Sequence, residues 1–208
     1  MVGRRAWLQG AAALFLVREA LAAGSVEEGI YRVRGEARVN GAQARQGAPV
    51  RPGDTVATSA GGEVVFVIQR DAFLLRANSR LEVGSAAADL FRVVTGALLS
   101  VFQPGVRKTL RTSTATIGIR GTGIYVESAA DRTYACTCYG EAELVPNDDP
   151  GARETVRTRH HDQPRYIMAK GAPQMIMQAP VINHTDAELI LLESLVGRSV
   201  PFDPQTYK

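Results

Sequence analysis

Short apolar runs alternate with glycine-containing turns over most of the chain. Between about residues 36 and 168 these runs are rich in β-branched residues, as in 63–68 and 90–94, and such residues favour strands. The run at 97–102 directly follows Thr95-Gly96, a pair typical of a hairpin turn. Turn signals recur about every ten residues, which is typical of all-β folds. The pattern predicts an all-β fold, either a twisted sandwich of short strands or a β-solenoid-like winding.

The last part of the chain has the pattern of a short helix. Thr185 and Glu188 have the spacing of a capping box, and Gly197 and Pro201 end the pattern. The apolar residues that then fall on one side of the helix are Leu189, Ile190, Leu192, Leu195 and Val196. We therefore predict a short C-terminal α-helix that packs over one end of the β-domain, in preference to a detachable helix that binds a partner.

These patterns divide the chain into four parts. The predicted parts are a signal peptide at 1–23, a β-domain at 31–145, a β extension with loops at 146–182, and the C-terminal helix and tail at 183–208. A polar loop begins the extension. The residues after this loop still have the pattern of strands, so the loop is not predicted to separate two domains.

Composition and charge narrow the class of protein. The chain has 208 residues, of which 45% are apolar and 22% charged. This apolar share excludes intrinsic disorder, because a disordered chain lacks enough apolar side chains to form a core. The net charge is +3, and three arginines and one glutamate in residues 1–23 account for two of these charges. The rest of the chain is nearly neutral, so a nucleic-acid partner is not expected.

Residues 1–23 have the layout of an export signal. A positive start is followed by an apolar stretch and by small residues at Ala20-Leu21-Ala22, the pattern of a cleavable signal peptide. Arg4-Arg5 before Trp7 and Leu8 resembles a twin-arginine signal, and the alternative is a general secretory signal with an incidental arginine pair. The apolar stretch is shorter than the roughly 20 residues that span a bilayer. We expect an exported, periplasmic protein with no transmembrane helix in the mature chain.

The most distinctive motif is the segment 112–127, which contains three glycines at positions 118, 121 and 123. Dinucleotide and phosphate loops are followed by a helix, whereas a β-branched run follows here. The expected role is therefore structural, with glycines where one strand approaches another closely. We expect Arg120 to be tied to carbonyls or to a carboxylate.

The same segment resembles the central motif of the FecR family, a periplasmic β-domain best known from iron-dicitrate signalling. The residues that match the motif are Thr112, Ala115, Gly118, Arg120, Gly121 and Thr122. Residues 33–36, 53–58 and 94–99 resemble other strands of the family, so the similarity covers roughly 31–145. Ser113 stands where the family usually has proline, and Gly123-Ile124 where an acidic residue and phenylalanine are common.

The resemblance implies a non-enzymatic periplasmic module that binds or senses a partner. That partner would be a protein, peptidoglycan or a small ligand. FecR-like signalling proteins place a cytoplasmic, sigma-factor-binding segment and a transmembrane helix before this domain. Here the domain follows the export signal almost at once, so direct anti-sigma activity is not expected.

The pair Cys136 and Cys138 is a second candidate site. Side chains alternate along a strand, so both thiols face the same side. Their Cα atoms are expected about 6.6 Å apart in an extended strand, which permits a disulfide only if the strand bulges. The pair is either buried and inert, locally bridged, bound to a metal or haem, or redox-active.

A metal at this pair would need further ligands. His160 and His161 are the obvious source, about two strands later, and histidine and thiolate are ordinary ligands of zinc. Adjacent histidines on a strand point to opposite faces, so at most one of the two is expected to join Cys136 and Cys138 unless a turn lies there. The fourth position would fall to His184, Asp162 or water.

Nothing in the sequence indicates an enzyme. The acidic residues are scattered, and no Gly-x-Ser-x-Gly nucleophile motif is present. We therefore expect no catalytic residues and no cofactor, with a metal ion as the one exception that the cysteines allow.

Overall fold

The computed structural model describes residues 28–85 and 90–203 as fourteen strands, a 3-10 turn at Pro150–Ala152 and one α-helix. The export signal predicted at 1–23 lies outside the described residues. The strands are β1 (Gly29–Arg34), β2 (Ala37–Val39), β3 (Ala42–Gln43), β4 (Thr55–Thr58), β5 (Glu63–Ile68), β6 (Asp71–Leu75), β7 (Arg80–Val83), β8 (Leu90–Val101), β9 (Arg107–Arg111), β10 (Ala115–Ser128), β11 (Arg132–Pro146), β12 (Glu154–Thr158), β13 (Arg165–Met168) and β14 (Ile176–Gln178). The helix is α1 (Asp186–Leu195).

All fourteen strands belong to one sheet. Its main path runs β14-β13-β11-β10-β9-β8-β7-β4-β2-β3, with β12 paired to β11 and with β6, β5 and β1 attached through β8. Every pairing is antiparallel except β8 with β9, whereas a solenoid stacks its strands in parallel. The predicted all-β fold with a short C-terminal helix is confirmed. The segment 146–182 extends the same sheet, and the four-part division of the chain stays a prediction.

Strand β10 changes its neighbour halfway along its length. Residues 116–120 pair with β9, and residues 123–128 pair with β8. At this point two residues, Gly121 and Thr122, oppose the single residue Gly140 on β11, which is a β-bulge that bends the strand. The FecR-like motif therefore marks the bend of the longest strand pair in the sheet.

The sheet has a buried cluster on each face. The larger one, the inner cluster, takes residues from nearly every strand. It contains a set of contacting aromatic rings formed by Phe66, Phe73, Phe91 and Phe102. The outer cluster combines residues of β5, β6, β8, β10 and β11 with the helix. Strands β5 and β6 are buried on both faces and so appear in the sequence as continuous apolar runs, not as alternating patterns.

Helix α1 closes the outer cluster. The predicted capping box is present: the Thr185 side chain accepts a hydrogen bond from the Glu188 backbone, and the Glu188 carboxylate accepts one from the Thr185 backbone at 2.9 Å. The apolar residues that pack against the sheet are Leu189, Leu192, Leu195 and Val196. Ile190 is 40% exposed, so its predicted place on the packed side was wrong. No helix within 28–85 and 90–203 is long and apolar enough to span a membrane.

Candidate metal centre

Four side chains that could bind a metal meet under the N-terminal end of α1. Cys136 and Cys138 come from β11, His161 from the turn after β12, and His184 from the segment just before the helix. One ligand atom from each lies within 4.8 Å of the ligand atoms of the other three. His161 Nδ1 is 3.5 Å from Cys136 Sγ and 2.9 Å from His184 Nε2. The group is almost fully enclosed, with both cysteines buried.

A second β-bulge shapes the cysteine pair. Thr137 pairs with Ile124 and Tyr139 pairs with Gly123, which leaves Cys138 as the extra residue. Cys136, Cys138 and Tyr139 consequently all belong to the outer cluster, and the thiols share one face as the alternation predicted. Both cysteines are free in the structure.

Gly123 makes this bulge sterically feasible. A Cβ atom at this position would lie 2.5 Å from a Tyr139 ring carbon, which is far inside van der Waals contact. The absence of a side chain at this position therefore allows Tyr139 to pack beside the cysteines.

The two adjacent histidines occupy a turn and not a strand. Strand β12 ends at Thr158, and His161 has a left-handed backbone with φ of 50°. Its backbone N–H donates to the Cys138 carbonyl at 2.9 Å. The strand geometry assumed for the pair does not apply, because the turn brings both rings to Asp186. Of the two, His161 alone joins the cysteines, which agrees with the expectation that at most one would.

His160 lies beside the four-residue group and is not one of its members. Its Nε2 is 2.9 and 3.0 Å from the two oxygens of Asp186, and His161 Nε2 is 3.0 Å from the nearer oxygen. His160, His161 and Asp186 form a second set of mutually close ligand atoms. The predicted set of Cys136, Cys138, His160 and His161 is thus brought together only in part, and His184 completes the four.

Hydrogen bonds fix which nitrogen of each ring faces the cysteines. His161 Nε2 faces the Asp186 carboxylate, and His184 Nδ1 lies 2.6 Å from the Ile182 carbonyl. Since both partners are acceptors, these outer nitrogens carry the hydrogens. The inner nitrogens, only 2.9 Å apart, are left with lone pairs that repel unless a proton or a metal ion lies between them. Carboxylate and carbonyl partners of this kind orient metal-binding histidines in proteins.

The thiols have sharply different acidities. A hydrogen bond from Cys138, followed by those from His161 and His184, lowers the pKa of Cys136 to about 4 against the effect of burial. Burial, together with the hydrogen bond to Cys136, raises the pKa of Cys138. Burial alone would lower the pKa of His161, but Cys136 and Asp186 outweigh it and raise that pKa. Without a metal, these shifts favour the thiolate form of Cys136 and the charged form of His161.

Two sulfur and two imidazole donors match the preference of zinc. Zinc in such sites is tetrahedral, with bonds of about 2.3 Å to sulfur and 2.0–2.1 Å to nitrogen, so its ligands lie roughly 3.3–3.8 Å apart. The separations of 3.5 and 2.9 Å at His161 need to change by only about a few tenths of an ångström to meet this range. The other separations are at most 4.8 Å, so they need to shorten by no more than about 1 Å. The residues present therefore fit a zinc ion or a similar divalent metal.

Cys136, His161 and Asp186 also have the connectivity of a nucleophile, a base and an orienting carboxylate. Such a triad must reach its substrate, yet Cys136 is 0% exposed. It lies in the outer cluster beneath residues of α1. The enclosure suits a bound ion better than an attacking nucleophile.

Four residues of the FecR-like motif have contacts that shape the sheet. The Thr112 hydroxyl accepts from the Ala115 backbone N–H at 3.0 Å, and Ala115 is fully buried. The Thr122 hydroxyl donates to the Glu141 carbonyl at 2.8 Å and accepts from its N–H at 3.2 Å. Gly121 has φ of 59°, and a Cβ there would lie 2.7 Å from the Pro104 Cα.

The other two motif residues, Gly118 and Arg120, have no comparable contact. A Cβ at Gly118 would meet only the Glu143 side chain, at 3.8 Å. Arg120 is exposed. The predicted contact of its guanidinium with carbonyls or a carboxylate is not found among the described residues.

Comparisons with known proteins show a shared fold. No protein-family model matches the chain, and no curated protein matches it. Two crystal structures of a proposed anti-sigma factor from Parabacteroides distasonis, at 1.65 and 2.50 Å resolution, are each similar to it with a TM-score of 0.50 and 11% sequence identity. The similarity covers 60% of this chain and 58% of the other, so the match spans less than two thirds of that protein.

Proposed function

We propose that this chain is an exported, non-enzymatic sensing module, similar to FecR proteins, that binds one zinc ion or similar divalent metal. The proposed ligands are Cys136, Cys138, His161 and His184. The observation that carries the proposal is that four donor atoms converge while both histidines direct their hydrogens outward, to Asp186 and to the Ile182 carbonyl.

The fold supports the sensing role in this proposal. The similar structures are of a proposed anti-sigma factor, and the FecR-like motif occupies the bend of β10. Export to the periplasm is supported by the signal-like pattern of residues 1–23. The partner is proposed to be a periplasmic protein, peptidoglycan or a small ligand.

The metal would connect three separate parts of the fold. Its ligands come from β11, from the turn after β12 and from the segment that leads into α1. Cys136 and His184 are far apart in sequence, so a metal bound by both holds together parts of the chain that only folding brings close, and it stabilises the folded state. When bound, the ion supplies the cross-link, while Asp186 and the Ile182 carbonyl hold the two imidazole rings in position.

Native mass spectrometry and metal analysis of the full chain test the proposal. We expect one zinc per chain, lost on His184→Gln or on Cys136→Ser with Cys138→Ser. His160→Gln is the matched control, because His160 contacts Asp186 but lies outside the four, and this variant should keep its metal.

Two results would overturn the proposal. One is the absence of any metal after equilibration with stoichiometric zinc. The other is a His184→Gln variant that retains zinc while His160→Gln loses it, since this would identify the wrong histidine.

A further inference from the structure

Gly118 lies in the middle of β10 without a conformational reason to be glycine. Its φ is outside the left-handed region, and a Cβ would make only ordinary contact, at 3.8 Å, with Glu143. Glycine inside a strand costs about 0.5–1 kcal/mol relative to alanine. Where no turn requires it, such a glycine often marks a place where another molecule approaches the backbone.

Two arginines stand beside this glycine in an unfavourable arrangement. Arg120 on β10 pairs directly across from Arg107 on β9, and both are exposed. Like charges placed opposite each other destabilise a sheet. Within 28–85 and 90–203, neither guanidinium has an ion pair or a hydrogen bond.

The nearby carboxylates are paired with other arginines. Glu141, opposite Arg120 on β11, accepts from Arg157 at 2.6 Å. Glu143 lies 3.7 Å from Arg153. The positive charges of Arg107 and Arg120 therefore have no ion-pair partner among the described residues on this face of the sheet.

One small cavity of about 220 Å³ is bordered by both arginines and by Gly118, Ile119, Glu141, Glu143 and Thr155, but not by Arg153 or Arg157. Gly118 and Ile119 contribute backbone to it, and Arg107 and Arg120 line it together. We propose that this cavity binds an anionic oxygen group, either a carboxylate or a phosphate. The rest of the molecule that bears this group would lie across Gly118. Arginine is suited to both groups because its planar fork donates two parallel hydrogen bonds.

A titration of the full chain with inorganic phosphate and with acetate, followed by NMR at constant ionic strength, tests the site. Backbone amide shifts are expected to be centred on residues 118–120. Arg107→Gln and Arg120→Gln should each weaken binding about tenfold, since each removes a charge-assisted pair. Gly118→Val should abolish binding by filling the space above the backbone and should leave the thermal midpoint unchanged or higher.

Arg111→Gln is the matched control, because Arg111 is an exposed arginine on the same strand but does not line this cavity. A preference for phosphate or for acetate would identify the class of ligand. The proposal would be overturned by shifts no larger than those caused by chloride, or by equal losses in Arg111→Gln and Arg120→Gln. A lower thermal midpoint of Gly118→Val would also overturn it, because the glycine would then be required by the fold.

Discussion

Replacing Asp186 tests whether the histidines are held for a metal. Asp186 accepts from His161 Nε2 at 3.0 Å and so leaves Nδ1 as a lone-pair donor toward Cys136. In Asp186→Ala the ring loses this partner and can rotate or move its hydrogen to Nδ1. Losing such a partner typically weakens metal binding 10- to 100-fold, or about 1.4–2.8 kcal/mol. Asp186→Asn should lie between wild type and alanine, because an amide oxygen still orients the ring without a charge.

Zinc affinity measured by competition with a chromophoric chelator is the appropriate assay. Asp186 is also an acidic residue in the first turn of α1, where it favours the helix by about 0.3–1 kcal/mol. Glu188→Gln controls for this effect, because Glu188 lies in the same turn and contacts neither His160 nor His161. An affinity of Asp186→Ala within about twofold of wild type, or an equal loss in Glu188→Gln, would refute the reasoning.

Two further predictions concern stability. Removal of the metal by a chelator should lower the free energy of unfolding by about 2.7 kcal/mol, relative to protein with free zinc at 100 times its dissociation constant. Denaturant unfolding of the metal-free and zinc-bound forms measures this difference. Equal unfolding midpoints of the two forms would contradict the prediction. Gly123→Ala should destabilise the chain by about 1–3 kcal/mol, because the new Cβ would meet the Tyr139 ring at 2.5 Å. Gly118→Ala should not, because its Cβ would make only ordinary contact with Glu143 at 3.8 Å. Equal losses in the two variants would show that the ring contact is not the cause.

Local signals in the sequence were sufficient for most of the fold. The β-branched runs became strands, and the capping box of Thr185 and Glu188 starts α1 as predicted. The shared face of Cys136 and Cys138 followed from strand alternation alone. These features depend on backbone preference and on burial, which a short stretch of sequence records directly.

The candidate site depended on contacts that no local pattern records. His161 adopts a left-handed turn without a glycine to signal it, so the strand geometry assumed for His160 and His161 did not apply. His184 and Asp186 reach the cysteines because α1 packs on the outer face of the sheet, and this docking joins residues far apart in sequence. The sequence offered His184 as one of three candidates for the fourth ligand position, beside Asp162 and water, and it gave no role to Asp186.

X-ray absorption at the zinc edge of the full chain tests the central claim most directly. The proposed site predicts two sulfur ligands at about 2.3 Å and two nitrogen ligands at about 2.0–2.1 Å in the wild type, and no zinc with this first shell in His184→Gln. A first shell of oxygen and nitrogen alone, or one that is the same in wild type and His184→Gln, would contradict it.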